Sequence, residues 1–150
     1  VHQMTTTTWT TRPTLSAELS RRLVDAAVAA ATAGGLRVTV VTVDESGVLR
    51  EVLRMDGAPL VSLQTAMNKA YAAAAIGMPP DDFFAAIEAD PAAVASFTNR
   101  PGLALLAGGL PVLADGDVAG AIGVAGAMTA AEDRAITEAA LEAALAGMAR

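Results

Sequence analysis

The segment Arg54-Met55-Asp56-Gly57-Ala58 closes an apolar run with a cation and an anion on either side of a methionine, then a glycine. A guanidinium placed there can clamp a carboxylate or phosphate through two parallel N–H groups. Gly57 frees the backbone for positive φ at a strand end, where ligand contacts are common. The same residues also suit an ordinary surface turn, and spacing alone favours that reading. Lys69, the one lysine of the chain, falls in a mostly apolar helix beside Ser62, Asn68 and Tyr71. A desolvated amine can serve as nucleophile or form a Schiff base, but more commonly the head bends back to solvent.

Glycines concentrate in Gly108-Gly109-Leu110-Pro111 and in Gly120-Ala121-Ile122-Gly123-Val124-Ala125-Gly126. Glycine weakens a strand, so several in one strand need a cause. Either a flat ligand rests on bare backbone, or a helix or neighbouring subunit lies close on the sheet. The run is neither a dinucleotide fingerprint nor a P-loop, because no βαβ unit surrounds it and no Gly-Lys-Ser/Thr follows. Asp81, Asp82, Glu88 and Asp90 suit a helix start and a solvated face better than a metal site, and no metal site is assigned.

Composition removes several chemistries. The 150 residues include no cysteine and one histidine, His2. Disulfides, thiolate catalysis and Cys-based metal sites are excluded, and Ser-His-Asp triads, most zinc sites and a proximal-His haem lose their key residue in the body of the domain. The formal net charge is -6 without any Lys/Arg cluster, so nothing favours nucleic acid or an anionic membrane surface. Aromatics are 3% of a chain that is 53% hydrophobic, which requires a core of Ala, Val, Leu and Ile. The longest apolar stretch, Val118 to Ala127, is about half of what a membrane-spanning helix needs. Residues 1–13 are expected to be a loose lead-in, with Val1-His2-Gln3 preceding a natural start at Met4. Residues 14–150 are expected to form one domain, by default cytoplasmic.

Periodicity then supplies the elements that must hold these residues. Thr14 is expected to cap a helix bearing Leu15, Leu19, Leu23, Val24, Ala27 and Val28, stopped by Gly34-Gly35. Arg37–Val43 and Val48–Met55 read as a hairpin around Asp44-Glu45-Ser46-Gly47. Leu60, Leu63, Met67, Ala70 and Ala74 mark a second helix, closed by Gly77-Met78-Pro79-Pro80. Short helices are expected from Asp81 to Ala89 and from Pro91 to Phe97. Leu103–Leu106, Leu110–Ala114 and Asp117–Ala125 read as strands, the last two joined at Asp115-Gly116. Thr129-Ala130-Ala131-Glu132 matches a capping box opening a helix that buries Ile136, Ala140, Leu141, Ala144, Leu145 and Met148. The expected fold is α/β (α+β): one five-stranded, mainly antiparallel sheet flanked by helices.

Arg54-Met55-Asp56-Gly57-Ala58, Ser62, Ala66, Lys69-Ala70, Pro101-Gly102-Leu103, Gly108-Gly109-Leu110-Pro111 and Gly120-Ala121-Ile122-Gly123-Val124, in this order and spacing, resemble the GlcG/HbpS family. It is also called the haem-degrading-domain or DUF336 family and includes the C-terminal domain of PduO-type proteins. The resemblance runs from about Leu15 to Leu145. It implies a profilin-like, three-layer arrangement, assembly as a homo-oligomer, and a ligand site for haem or a corrinoid. Two departures stand out. The family's last glycine motif usually ends Gly-Val-Ser-Gly, where this chain has Gly123-Val124-Ala125-Gly126. With no histidine in the domain body, haem would need a weaker ligand such as Met55, Met78, Tyr71, Thr98 or Lys69.

The resemblance implies a small-molecule-binding protein that holds a tetrapyrrole or another planar, carboxylated metabolite. Its expected contacts are Arg54, Met55, Asp56, Gly57, Ser62, Lys69, Tyr71, Arg100, Gly108, Gly109 and Gly123. Arg54, Lys69 and Arg100 would supply charge for an anionic ligand, and amides around Gly108 and Gly109 would bind an oxygen. The alternative is a cofactor-independent lyase, isomerase or proton-transfer enzyme, with Lys69 as base or Schiff-base former, Arg54 and Arg100 as clamps, and Asp56 as orienting acid. A structural or regulatory subunit is the third reading.

Overall fold

β1 (Thr39–Asp44) and β2 (Leu49–Arg54) pair antiparallel as the expected hairpin, with Thr39 opposite Arg54 and Val41 opposite Val52. The computed structural model describes residues 8–146 and Met148, so His2, Met4 and the first part of the lead-in lie outside it. β3 (Gly109–Ala114) and β4 (Asp117–Ala125) form the second hairpin. Its turn has φ of 51° at Asp115 and 86° at Gly116, the two left-handed positions that make Asp-Gly a preferred hairpin pair. β4 also pairs antiparallel with β1, giving the order β2-β1-β4-β3.

The sheet has four strands among the described residues, not five. Leu103–Leu106 is not a strand: Leu103 N–H turns back to Arg100 O, and the chain enters β3 only at Gly109. The run is flanked by Pro101-Gly102 and Gly108, and the outer edge of β3 stays unpaired among the described residues.

Two helices cover one face. α1 (Ala17–Ala33) and α5 (Ala130–Leu145) pack Leu23, Val24, Ala27, Ile136 and Ala140 against Val38, Val40, Ile122 and Val124. α1 starts later than expected: its cap is Ser16, whose hydroxyl accepts from Leu19 N–H, rather than Thr14. α5 opens with the full capping box, Glu132 N–H donating to the Thr129 hydroxyl and Thr129 N–H to the Glu132 carboxylate. Thr129→Ala is therefore expected to cost about 1 kcal/mol and to lower the melting temperature by roughly 2–4 °C for a chain of this size, read by circular dichroism. Leu145 and Met148, expected inside, are 37% and 44% exposed because α5 ends at Leu145 beyond the edge of the core.

α2 (Val61–Ile76) covers the other face. Of the expected stripe, Ala70 and Ala74 are buried and Met67 packs against the core, but Leu60 is 76% exposed. The buried side is shifted round the helix to take in Ser62, Ala66, Lys69 and Ala73 as well. The reason lies in β4. A Cβ on Gly123 would collide with Ala66 O and stand 2.6 Å from Ala70 N, and one on Gly109 would stand 2.6 Å from Lys69 O. Small residues on the helix and glycines on the strands let the two backbones approach closely, so this face is packed by backbone contact rather than by large side chains.

α3 (Pro80–Ile87) and α4 (Pro91–Thr98) project from the end of α2. Arg134 of α5 ties α3 to the body through Asp81 and Asp82, and bonds Glu138 at 2.7 Å. The Glu138 bond first, then those to Asp82 and Asp81, hold the guanidinium pKa above its ordinary value. These carboxylates thus serve an ion-pair clamp. Among the described residues no helix is long and apolar enough to cross a membrane.

Candidate functional site

Lys69 is the first sequence candidate to be placed, and it does not reach solvent. It is 1% exposed, and its Nζ donates to Asp133 Oδ2 at 2.9 Å and to Val124 O at 3.0 Å. Asp133 Oδ1 accepts from Ala127 N–H at 3.0 Å, and the Thr137 hydroxyl reaches Asp133 O and Gly108 O. Lys69 belongs to α2 on one face of the sheet, and Asp133 to α5 on the other. The ion pair passes the end of β4 and joins the two outer layers. Room for the ammonium comes from Gly108, where a Cβ would lie 2.9 Å from Nζ.

Asp133 was missed in the sequence, where the capping box explained its neighbour Glu132. The signal was present: Asp133 stands three, four and seven residues before the buried Ile136, Thr137 and Ala140, so helical spacing turns it inward.

The glycines expected to touch ligand are occupied by the protein itself. α2 lies on Gly123 and Gly109, and Gly108 O accepts from Val124 N–H and from Thr137. Ser62 is buried and bonded to Thr39 at 2.8 Å and to Pro59 O. Arg100 stacks its guanidinium 4.8 Å from the centre of the Phe97 ring.

Arg54, Met55, Asp56 and Arg37 come together instead at the end of the β1–β2 hairpin, around an open hollow of about 520 Å³ that Val28 and Leu53 also line. Antiparallel pairing explains Arg37: it precedes β1 as Arg54 ends β2, and Met55 N–H bonds Val38 O across the pair. Among the described residues neither arginine makes an ion pair within 4 Å. Gly57, with φ of 81°, turns the chain beside the Arg37 stem. Lys69 lines a different cleft with Ser62, so Arg54 and Lys69 do not converge.

A second feature runs along the same hairpin. α2 packs over β1, β4 and β3 and leaves β2 largely uncovered. Between them lies an apolar hollow of about 240 Å³, floored by Val41 and Val43 and walled by Leu49, Met67 and Tyr71, with Gln64 and Asn68 at its rim. Leu49 is 48% exposed, Val52 36% and Tyr71 42%. Opposite Val52 is Val41, part of the floor. Opposite Arg54 is Thr39, whose hydroxyl faces Ser62 of α2. By register Leu49, Val52 and Arg54 therefore leave the edge strand on the α2 side, over six residues or roughly 17 Å of extended chain, and the Arg54 side chain at the strand end also borders the hollow shared with Val28 and Leu53. The surface is apolar along its length, with a cation at one end and a phenol at the other.

Residues 15–142 match the family model described as haem degrading protein HbpS-like. The chain belongs to this HbpS-like family. A 15.0 kDa protein in the dhaT-dhaS intergenic region of Citrobacter freundii is 30% identical over 130 residues, 86% of this chain and 91% of that one. The crystal structure of a Streptomyces reticuli HbpS double mutant is 33% identical, with a TM-score of 0.81 over 89% of this chain and 88% of that one. The crystal structure of a PduOC:heme complex is 26% identical, with a TM-score of 0.79 over 87% of this chain and 94% of that one. Of the iron donors expected for an HbpS-like chain without histidine among the described residues, Lys69 is engaged, Met55 is 9% exposed and the Thr98 hydroxyl donates to Val94 O. Met78 and Tyr71 are 39% and 42% exposed. Tyr71 stands at an open apolar surface and is a donor type that haem proteins use.

Proposed function

We propose that this HbpS-like chain binds a planar, carboxylated ligand of the tetrapyrrole class on the uncovered face of β2, between Tyr71 and Arg54. The observation that carries this reading is the hollow walled by Leu49, Met67 and Tyr71 over the buried Val41 and Val43, with exposed Val52 beyond it and, by strand register, Arg54 at the end of β2, free of ion pairs among the described residues. The hollow alone is smaller than the roughly 300 Å³ at which ligand pockets begin, so a macrocycle would also rest on the strand beyond it. Arg54, with Arg37 nearby, suits the carboxylates through charge-assisted hydrogen bonds. If the ligand carries iron, the Tyr71 phenol would be the protein's donor to it, and bound haem would supply redox chemistry there.

The enzyme alternative assigned Lys69 as base or Schiff-base former. Nζ is sealed in an ion pair and spends two of its N–H groups on Asp133 and Val124. That arrangement supports a structural role for Lys69 and a binding role for the protein.

Arg54→Gln separates the two ends of the proposed surface. A hydrogen bond to a charged group contributes about 1.5–3 kcal/mol, so the variant should bind iron-free protoporphyrin roughly 10- to 100-fold more weakly by fluorescence titration. Unchanged affinity would remove Arg54 from the site.

A further inference from the structure

The cleft that Ser62 and Lys69 line, at the N-terminal end of α2, is also lined by Val61, Leu106 and Met128 and has a volume of about 240 Å³. Val61 is 73% exposed, Met128 88% and Leu106 50%. Leu60, next to Val61 in the chain, is exposed as well. Four large apolar side chains thus stand outward around one opening.

Three of them sit where the single chain has no use for an apolar side chain. Leu60 is the N-cap of α2, and its side chain makes no capping bond. Leucine is among the poorest residues for that position, where Ser, Thr, Asn or Asp would satisfy a free N–H. Met128 precedes the Thr129 cap of α5, the position from which an apolar side chain staples itself to the fourth residue of the helix. That fourth residue is Asp133, which is buried and bonded to Lys69, so Met128 has no apolar partner there. Leu106 belongs to the run that joins no strand.

The cleft also carries no exposed charge. Its two ionisable residues, Lys69 and Asp133, are buried and paired with each other. The chain as a whole has a formal net charge of -6, so two copies repel unless they meet on uncharged surface. A partner steered by charge, such as a nucleic acid or an anionic membrane, finds nothing here to hold it. A second copy does. Each chain brings both outward apolar side chains and an opening to receive them, as a two-fold contact between identical surfaces requires. Exposed apolar patches of roughly 300–600 Å² mark such contacts. Apolar residues, with Met enriched, form the centre of a standard interface of about 800 Å² per partner.

We propose that this face is where two copies of the chain meet, with Leu60 and Met128 of each packed against the cleft of the other. The contact lies toward the opposite end of α2 from Tyr71 and does not depend on a ligand at β2.

The test is sedimentation velocity of the full chain over a wide concentration range, at low and high salt. Concentration-dependent self-association is expected, tighter at high salt because screening relieves the repulsion between two acidic chains. Met128→Glu and Leu60→Glu alter exposed side chains, and each brings like charges together across the contact. Each should weaken association roughly tenfold or more. Leu113→Glu, at an exposed position on β3 away from the cleft, should leave it unchanged. Circular dichroism melting first shows that every variant is folded. A wild type that stays monomeric at all concentrations would overturn the proposal. So would association that salt loosens, wild-type association in both Met128→Glu and Leu60→Glu, or equal weakening by Leu113→Glu.

Discussion

Lys69→Met is expected to cost about 3–5 kcal/mol of unfolding free energy, because it leaves the Asp133 carboxylate buried with only the Ala127 N–H to answer its charge. That is a large share of the roughly 5–15 kcal/mol that holds a natural domain folded. The loss arises from an orphaned charge and not from the worth of the pair itself. Adding Asp133→Asn to Lys69→Met should therefore restore most of it, although two native residues are then gone. Urea unfolding of the wild type, both single variants and the double variant gives the coupling directly. A wild-type midpoint for Lys69→Met would mean that the ammonium is solvated.

Gly123→Val is expected to damage the fold through the opposite defect, an excess of atoms. The Cβ alone would strike Ala66 O and crowd Ala70 N and Cβ, all on α2. Backbone on both sides leaves no flexible side chain to yield, so α2 must lift from β4. Overpacking ordinarily costs about 1–3 kcal/mol and occasionally more; here the upper end or beyond is expected in the same urea experiment. Lifting α2 also moves Tyr71 away from the β2 surface, so any protein that still folds should bind porphyrin more weakly than wild type.

These two expectations show where the sequence was legible. Several local signals were accurate: Thr129 and Glu132 form their capping box, Asp115-Gly116 makes its hairpin turn, and Gly34 ends α1, although α1 is capped by Ser16 rather than Thr14. Each depends on residues a few positions apart. The larger misplacements depend on distant partners. Nothing local in Lys69 tells whether its head meets water or Asp133, which lies 64 residues away. Of the Leu60, Leu63, Met67, Ala70 and Ala74 stripe expected on the core face of α2, Ala70 and Ala74 are buried, but the glycines of β3 and β4 also draw in Ala66, Lys69 and Ala73 and leave Leu60 exposed. Of the candidate site, Arg54 and Tyr71 flank one open surface, whereas Gly108, Gly109 and Gly123 make room for Lys69 and α2. Arg37 required the hairpin register before it could be placed beside Arg54.

The central claim, a tetrapyrrole held along β2 between Tyr71 and Arg54, is tested most directly by titrating haem into wild-type protein and Tyr71→Phe and following the visible spectrum. The account predicts a saturable Soret shift at one equivalent per chain in the wild type. Tyr71→Phe should give a different band position with affinity retained in part through Arg54. A flat titration of the wild type, or identical spectra from the two proteins, would contradict it.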